Sequence, residues 1–162
     1  MLETEATINR FLIGYCRMMT AELADDRLTE QPSPGVNHPA WILGHLSFAA
    51  YRAKGLITGA PNELPEAWQK LFAPGSKLTA SRTDYPSKGE LLKAVEQSYD
   101  ALRQSALAAT AEQLAQPSQN PRTKDQLPTI KDAVAFLLTG HLGVHLGQLS
   151  MWRRLIGLPA LF

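Results

Sequence analysis

The fold that the sequence predicts is all-α: a four-helix bundle running up-down-down-up, with a long crossover between its second and third helices. Three observations carry it. No stretch alternates apolar and polar residues as a half-buried strand would. Four long segments repeat their apolar residues at three- and four-residue intervals, the period of a helix with one buried side. About thirty residues rich in Pro and Gly part the second segment from the third, and a link that long lets consecutive helices run parallel. The 162 residues suit one domain, expected to span 1–162, and suffice to bury a core without staples.

The first helix is expected over roughly residues 3–23, with Ile8, Phe11, Leu12, Tyr15, Met19 and Leu23 as its apolar stripe and Cys16 beside it as a small buried residue. "DDRLTEQPSPGVNHP" is too broken by turn formers to continue it. Asn37 is the expected N-cap of the second helix, Pro39 suits its first turn, and Gly55 and Gly59 bracket its end. His38 is read as exposed. Within the crossover, "PEAWQKLF" predicts a short helix packing through Trp68, Leu71 and Phe72. "SKGE" at 87–90 is a capping box opening the third long helix, whose apolar face is Leu91, Leu92, Val95, Tyr99 and Leu102. "TAEQLAQP" predicts one short helical turn ended by Pro117, and "SQNPRTKDQLP" a loop. "TIKD" at 129–132 caps the last long helix, read as continuous to its stop at Gly157 and Pro159.

Composition narrows the function. A formal net charge of +1, with no basic run longer than a pair such as Arg153-Arg154, offers no footprint for nucleic acid. Cys16 is the only cysteine, which excludes an intrachain disulfide and a thiolate metal cluster. "MLETEATINR" puts acidic residues where a signal peptide needs a basic patch, and no apolar run approaches the roughly 20 residues of a membrane span. The expectation is a cytoplasmic protein without a membrane partner.

The chemistry concentrates in histidines. His141 and His145 stand four apart on the last helix, one above the other, and share its inward side with Val134 and Gln148. His45 lies on the inward stripe of the second helix, four residues after Trp41. One inward histidine is usually a core residue bonded to a carbonyl or buried water. Three placed to converge can form a three-nitrogen metal site with positions left for water or substrate. Leu142 stands where an HExxH motif has its glutamate, and no Asp or Glu follows Asp132 on that helix. A site without a built-in carboxylate suits Lewis-acid work on a bound water or a soft thiolate.

"NHPAWILGHL" together with "GHLGVHLGQLSMWRR" resembles the DinB/YfiT-like superfamily, in the branch with a His-x-x-x-His-x-Gly-Gln last helix. The resemblance spans nearly the whole chain. It implies a four-helix bundle, commonly a homodimer, with a divalent metal held by one histidine of the second helix and two of the fourth; by position these are His45, His141 and His145. It also implies thiol-dependent chemistry, since relatives include transferases that use low-molecular-weight thiols and a maleylpyruvate isomerase. Zinc and nickel are the metals expected.

Two functions stay open ahead of a third, a metal sensor or nickel store with loose, exchangeable binding. One is a metal-dependent enzyme, a thiol-dependent S-transferase or hydrolase acting on a small molecule, with Asn37, Trp41, Arg52 and Tyr85 as candidates to line the substrate pocket. The other is a non-catalytic, stress-associated binding or scaffold domain with a structural or vestigial metal site. A mouth sealed by the crossover favours the second, and an open cleft over the histidines the first. The apolar tail "LPALF" either meets a partner chain or folds back on its own bundle.

Overall fold

A computed structural model describes residues 1–161, and among them the chain is all-helical with no β-strand. The elements are α1 (Glu3–Ala21), α2 (Pro39–Thr58), α3 (Glu66–Phe72), α4 (Lys88–Ala108), α5 (Ala111–Ala115), α6 (Ile130–Leu138) and α7 (Gly140–Leu155), with 3₁₀ turns at Asp25–Thr29 and Arg82–Asp84. α2 is the inner element. It packs against α4, α3, α6 and α7, while α1 packs against α4, α6 and α7. The sequence explains the difference: "PAWILGHLSFAAY" is apolar on every side, so it must be surrounded, and all twelve residues from Pro39 to Ala50 are buried.

Local signals set the helix ends. Ser87 and Glu90, Thr110 and Gln113, and Thr129 and Asp132 each form a reciprocal capping box that satisfies free backbone donors. Gly59, at φ +71°, closes α2 in the left-handed conformation that favours glycine. The short helix expected in the crossover is α3, with Phe72 fully buried and Trp68 edge-on to it at 5.9 Å.

Four expectations give way. The stripe of α1 is turned: Ile8 and Phe11 are 44% and 64% exposed, while Ala6, Asn9, Ile13, Cys16 and Thr20 face the core. Polar residues can lie inside because the interior supplies partners, Leu138 O and Arg103 for Asn9 and the Cys16 carbonyl for Thr20. The N-cap of α2 is His38 rather than Asn37, and its Nδ1 accepts the Trp41 N–H at 3.2 Å. His38 is not exposed but fully buried, edge-on to Tyr85 at 4.8 Å. The last helix is broken at Thr139 (φ −125°, ψ −73°) into α6 and α7. There the Asn9 side chain donates to Leu138 O at 2.7 Å and competes with the helical ladder. Leu158 and Leu161 of the tail pack on the core, and Phe162 lies outside the described residues.

Candidate metal centre

Three imidazoles meet between α2 and α7. His45 and His141 have ring centroids 5.3 Å apart, His45 and His145 4.8 Å, and His141 and His145 4.6 Å. One ligand atom from each falls within 4.8 Å of the others, so the group can hold a metal ion. His45 and His145 are buried and His141 is partly exposed. Leu142, where a glutamate would act as base in an HExxH site, is fully buried in the core.

Each ring has a distinct support. His45 Nδ1 donates to the Phe72 carbonyl at 2.8 Å, which leaves its Nε2 bare. Trp41 lies flat on the same ring, 4.5 Å between centroids and 7° from parallel, and its indole N–H donates to Ser76 Oγ at 2.8 Å. Phe72 can come so close because position 44 has no side chain: a Cβ on Gly44 would stand 2.2 Å from the Phe72 ring. His145 Nδ1 donates to Gln148 Oε1 at 3.1 Å, and the Asn37 amide donates to that same oxygen at 3.1 Å. His141 Nδ1 is buried and has no hydrogen-bond partner among the described residues.

The electrostatics favour neutral rings. Burial holds His141 down at about 3, and repulsion from His145 and His45 acts the same way. His145 is held at about 4 by burial and by His45, against the upward pull of its bond to Gln148. His45 is lowered by burial, against the pull of the Phe72 carbonyl. Neutral imidazoles with bare nitrogens are the form in which histidine ligates a metal. A buried nitrogen without a partner costs free energy that a bound ion would recover. The residues present therefore fit a divalent ion.

The four pocket candidates all stand near this cluster. Trp41 touches His45 directly. The other three are each one side chain removed. Asn37 reaches His145 through Gln148. Arg52 lies 6.0 Å over the Phe48 ring, which is 6.4 Å from His45. Tyr85, buried with its hydroxyl accepting the Thr79 N–H, lies 6.1 Å from Phe72. Gly44, Phe72, Ser76 and Gln148 were not marked as site residues by sequence reasoning. A glycine inside an apolar helix is a sign of close backbone approach, so Gly44 was findable. Ser76 and the Phe72 carbonyl carried no sign, being loop and backbone groups brought in by the fold. Cys16 is free and buried in the core, and burial raises its thiol to about 12, which disfavours the thiolate.

An all-helical chain with three convergent histidines that could hold a metal ion defines the class: a helical domain compatible with metal binding. The chain belongs to the DinB superfamily, which it matches over residues 15–149. No curated protein and no solved structure matches it.

Proposed function

We propose that this chain is a divalent-metal-dependent enzyme of the DinB superfamily, a thiol-dependent S-transferase or hydrolase acting on a small molecule, with His45, His141 and His145 as the ligands. The observation that carries the reading is the convergence of three neutral imidazoles, one with a buried nitrogen that nothing else satisfies. When bound, a zinc or nickel ion supplies Lewis acidity, which favours the thiolate of a thiol or the hydroxide of a water. The chain's own part is to hold and to exclude. Phe72 and Gln148 orient two rings, Trp41 walls one flank, and among the described residues no carboxylate is hydrogen-bonded to the three histidines. Asn37, Trp41, Arg52 and Tyr85 are read as surrounding the substrate.

The same reading takes residues 1–162 as one domain in a cytoplasmic homodimer. It takes the long helices as a four-helix bundle in up-down-down-up order, with α6 and α7 as one interrupted rod. The packing of α1 and of α2 against both α4 and the α6–α7 pair supports that arrangement, and the dimer rests on the resemblance of the sequence alone. No helix among the described residues is long and apolar enough to cross a membrane.

The alternative, a non-catalytic binding or scaffold domain with a structural metal, is favoured by one feature. Two open cavities of 720 and 410 Å³ lie along the 3₁₀ turn at Asp25–Thr29 and between α3 and α4, and none of the three histidines lines either. The crossover meanwhile meets His45 through the Phe72 carbonyl and holds the stacked Trp41 through Ser76.

Elemental analysis by mass spectrometry on tag-free protein, with a His145→Ala control, tests the metal reading. Near-stoichiometric zinc or nickel in the wild type, lost in the control, supports it, and turnover of an electrophile with a low-molecular-weight thiol then separates enzyme from scaffold. No metal after supplying both ions and dialysing would sink it.

A further inference from the structure

We infer that Gln148, locked by Asn37, is a positioning residue that sets the tautomer of His145 so that its Nε2 lone pair faces the cluster. The inference rests on reading that cluster as a metal centre. His45 and His145 reach the same end state by different means. Behind His45 stands a backbone carbonyl, Phe72 O at 2.8 Å, which can only accept and cannot turn. Behind His145 stands a side-chain amide, whose oxygen and nitrogen exchange places on rotation. A lone glutamine would leave His145 free to carry its proton on either nitrogen.

Asn37 restricts that freedom, because Gln148 can then reverse only together with Asn37. Its amide nitrogen only donates, and it donates to Gln148 Oε1 at 3.1 Å. The oxygen so held is the one that His145 Nδ1 contacts, also at 3.1 Å. Reversing Gln148 alone would set two N–H₂ groups against each other and an N–H₂ against His145 Nδ1–H. The contact spans 111 residues and ties the loop before α2 to α7, so the loop that leads into the helix of His45 also bears on the ligand state of His145. Partners behind a metal-ligating histidine fix its tautomer and ring orientation in this way, and losing one typically costs about 10- to 100-fold in metal affinity.

The test uses metal-free, tag-free protein with ¹⁵N-labelled histidine near neutral pH. Long-range ¹H–¹⁵N correlation reads which ring nitrogen of His145 is protonated, and chelator competition gives zinc affinity. The wild type should show a single Nδ1–H form. Gln148→Leu should lose that single form and bind zinc about 10- to 100-fold more weakly. Gln148→Glu keeps an acceptor and should restore both readings, and Asn37→Ala should admit a minor Nε2–H population. An Nε2–H His145 in the wild type, which a paired flip of both amides would produce, overturns the inference. So does Gln148→Leu with tautomer and affinity unchanged. Should Gln148→Leu not fold, an unchanged tautomer in Asn37→Ala overturns the lock. A wild type that takes up no zinc defeats the metal reading, while the tautomer of the metal-free protein still decides the role of Gln148.

Discussion

Two sets of polar side chains are buried in this molecule, and they are treated in opposite ways. Arg153, 2% exposed, gives one guanidinium N–H to Met19 O at 2.7 Å and others to Glu22 and the Pro159 carbonyl. Asn9, fully buried, donates to Leu138 O and accepts from Arg103 at 2.7 Å. Both sit where segments distant in sequence must be joined, α1 to α7 and α1 to the α6–α7 break. His45 and His145 are also buried and His141 partly so, yet one ligand atom of each lies within 4.8 Å of the others and the buried His141 Nδ1 has no partner among the described residues. An unpaired buried polar group costs free energy, and Asn9 and Arg153 are paired off by the fold. His38 Nε2, the Tyr99 hydroxyl and the Ser118 hydroxyl are also buried without a partner among the described residues, but each stands alone. What sets the histidines apart is three ligand atoms crowded together, the arrangement that a metal ion could complete.

That contrast can be broken experimentally. The largest effect is expected at Arg153. Arg153→Met strands the Met19 carbonyl and the Glu22 carboxylate and should cost about 3 kcal/mol in urea unfolding, tempered by the half-exposure of Glu22. Asn9→Ala, which frees the Leu138 carbonyl and Arg103, should cost about 2 kcal/mol by the same measurement. The histidine cluster should respond with the opposite sign. His141→Leu removes a buried group without a partner, so the metal-free protein should hold its stability or gain about 1 kcal/mol, while zinc binding is lost. A cost as large as that of Asn9→Ala would mean that the cluster is structural.

A pH dependence of the metal-free protein tests the same contrast from another side. His38, His141 and His145 take up protons at about 4, 3 and 4 in the fold, against 6.5 for the ordinary group. Between those values the unfolded chain binds more protons, so stability should fall as pH drops from 6.5 towards about 4 and be level, for these groups, above 6.5. Urea midpoints across that range check it. Saturating zinc should sharpen the fall, because protons compete for the same nitrogens.

Much of the fold was legible in local residues. The boxes at Ser87–Glu90, Thr110–Gln113 and Thr129–Asp132, and Gly59 behind α2, act within four residues of themselves, so no tertiary context was needed to read them. The inward stripe of α2 and the four-residue spacing of His141 and His145 also sufficed to nominate the three histidines. The face of α1 was not legible. Ile8 and Phe11 look like core until Leu138 O and Arg103 are present to accept Asn9 in their place. The same holds for the break at Thr139, for the burial of His38 beside Tyr85, and for the carbonyl and the amide behind His45 and His145. Sequence alone determined the helix ends that carry a local cap and which residues could ligate a metal, because those properties depend on short-range geometry; the break at Thr139 was not among them. Tertiary structure decided which polar groups are paired and which are left open. Apart from His145 and Gln148, three positions apart, these pairings join residues 27 to 134 positions apart, and no local pattern encodes a partner at that distance.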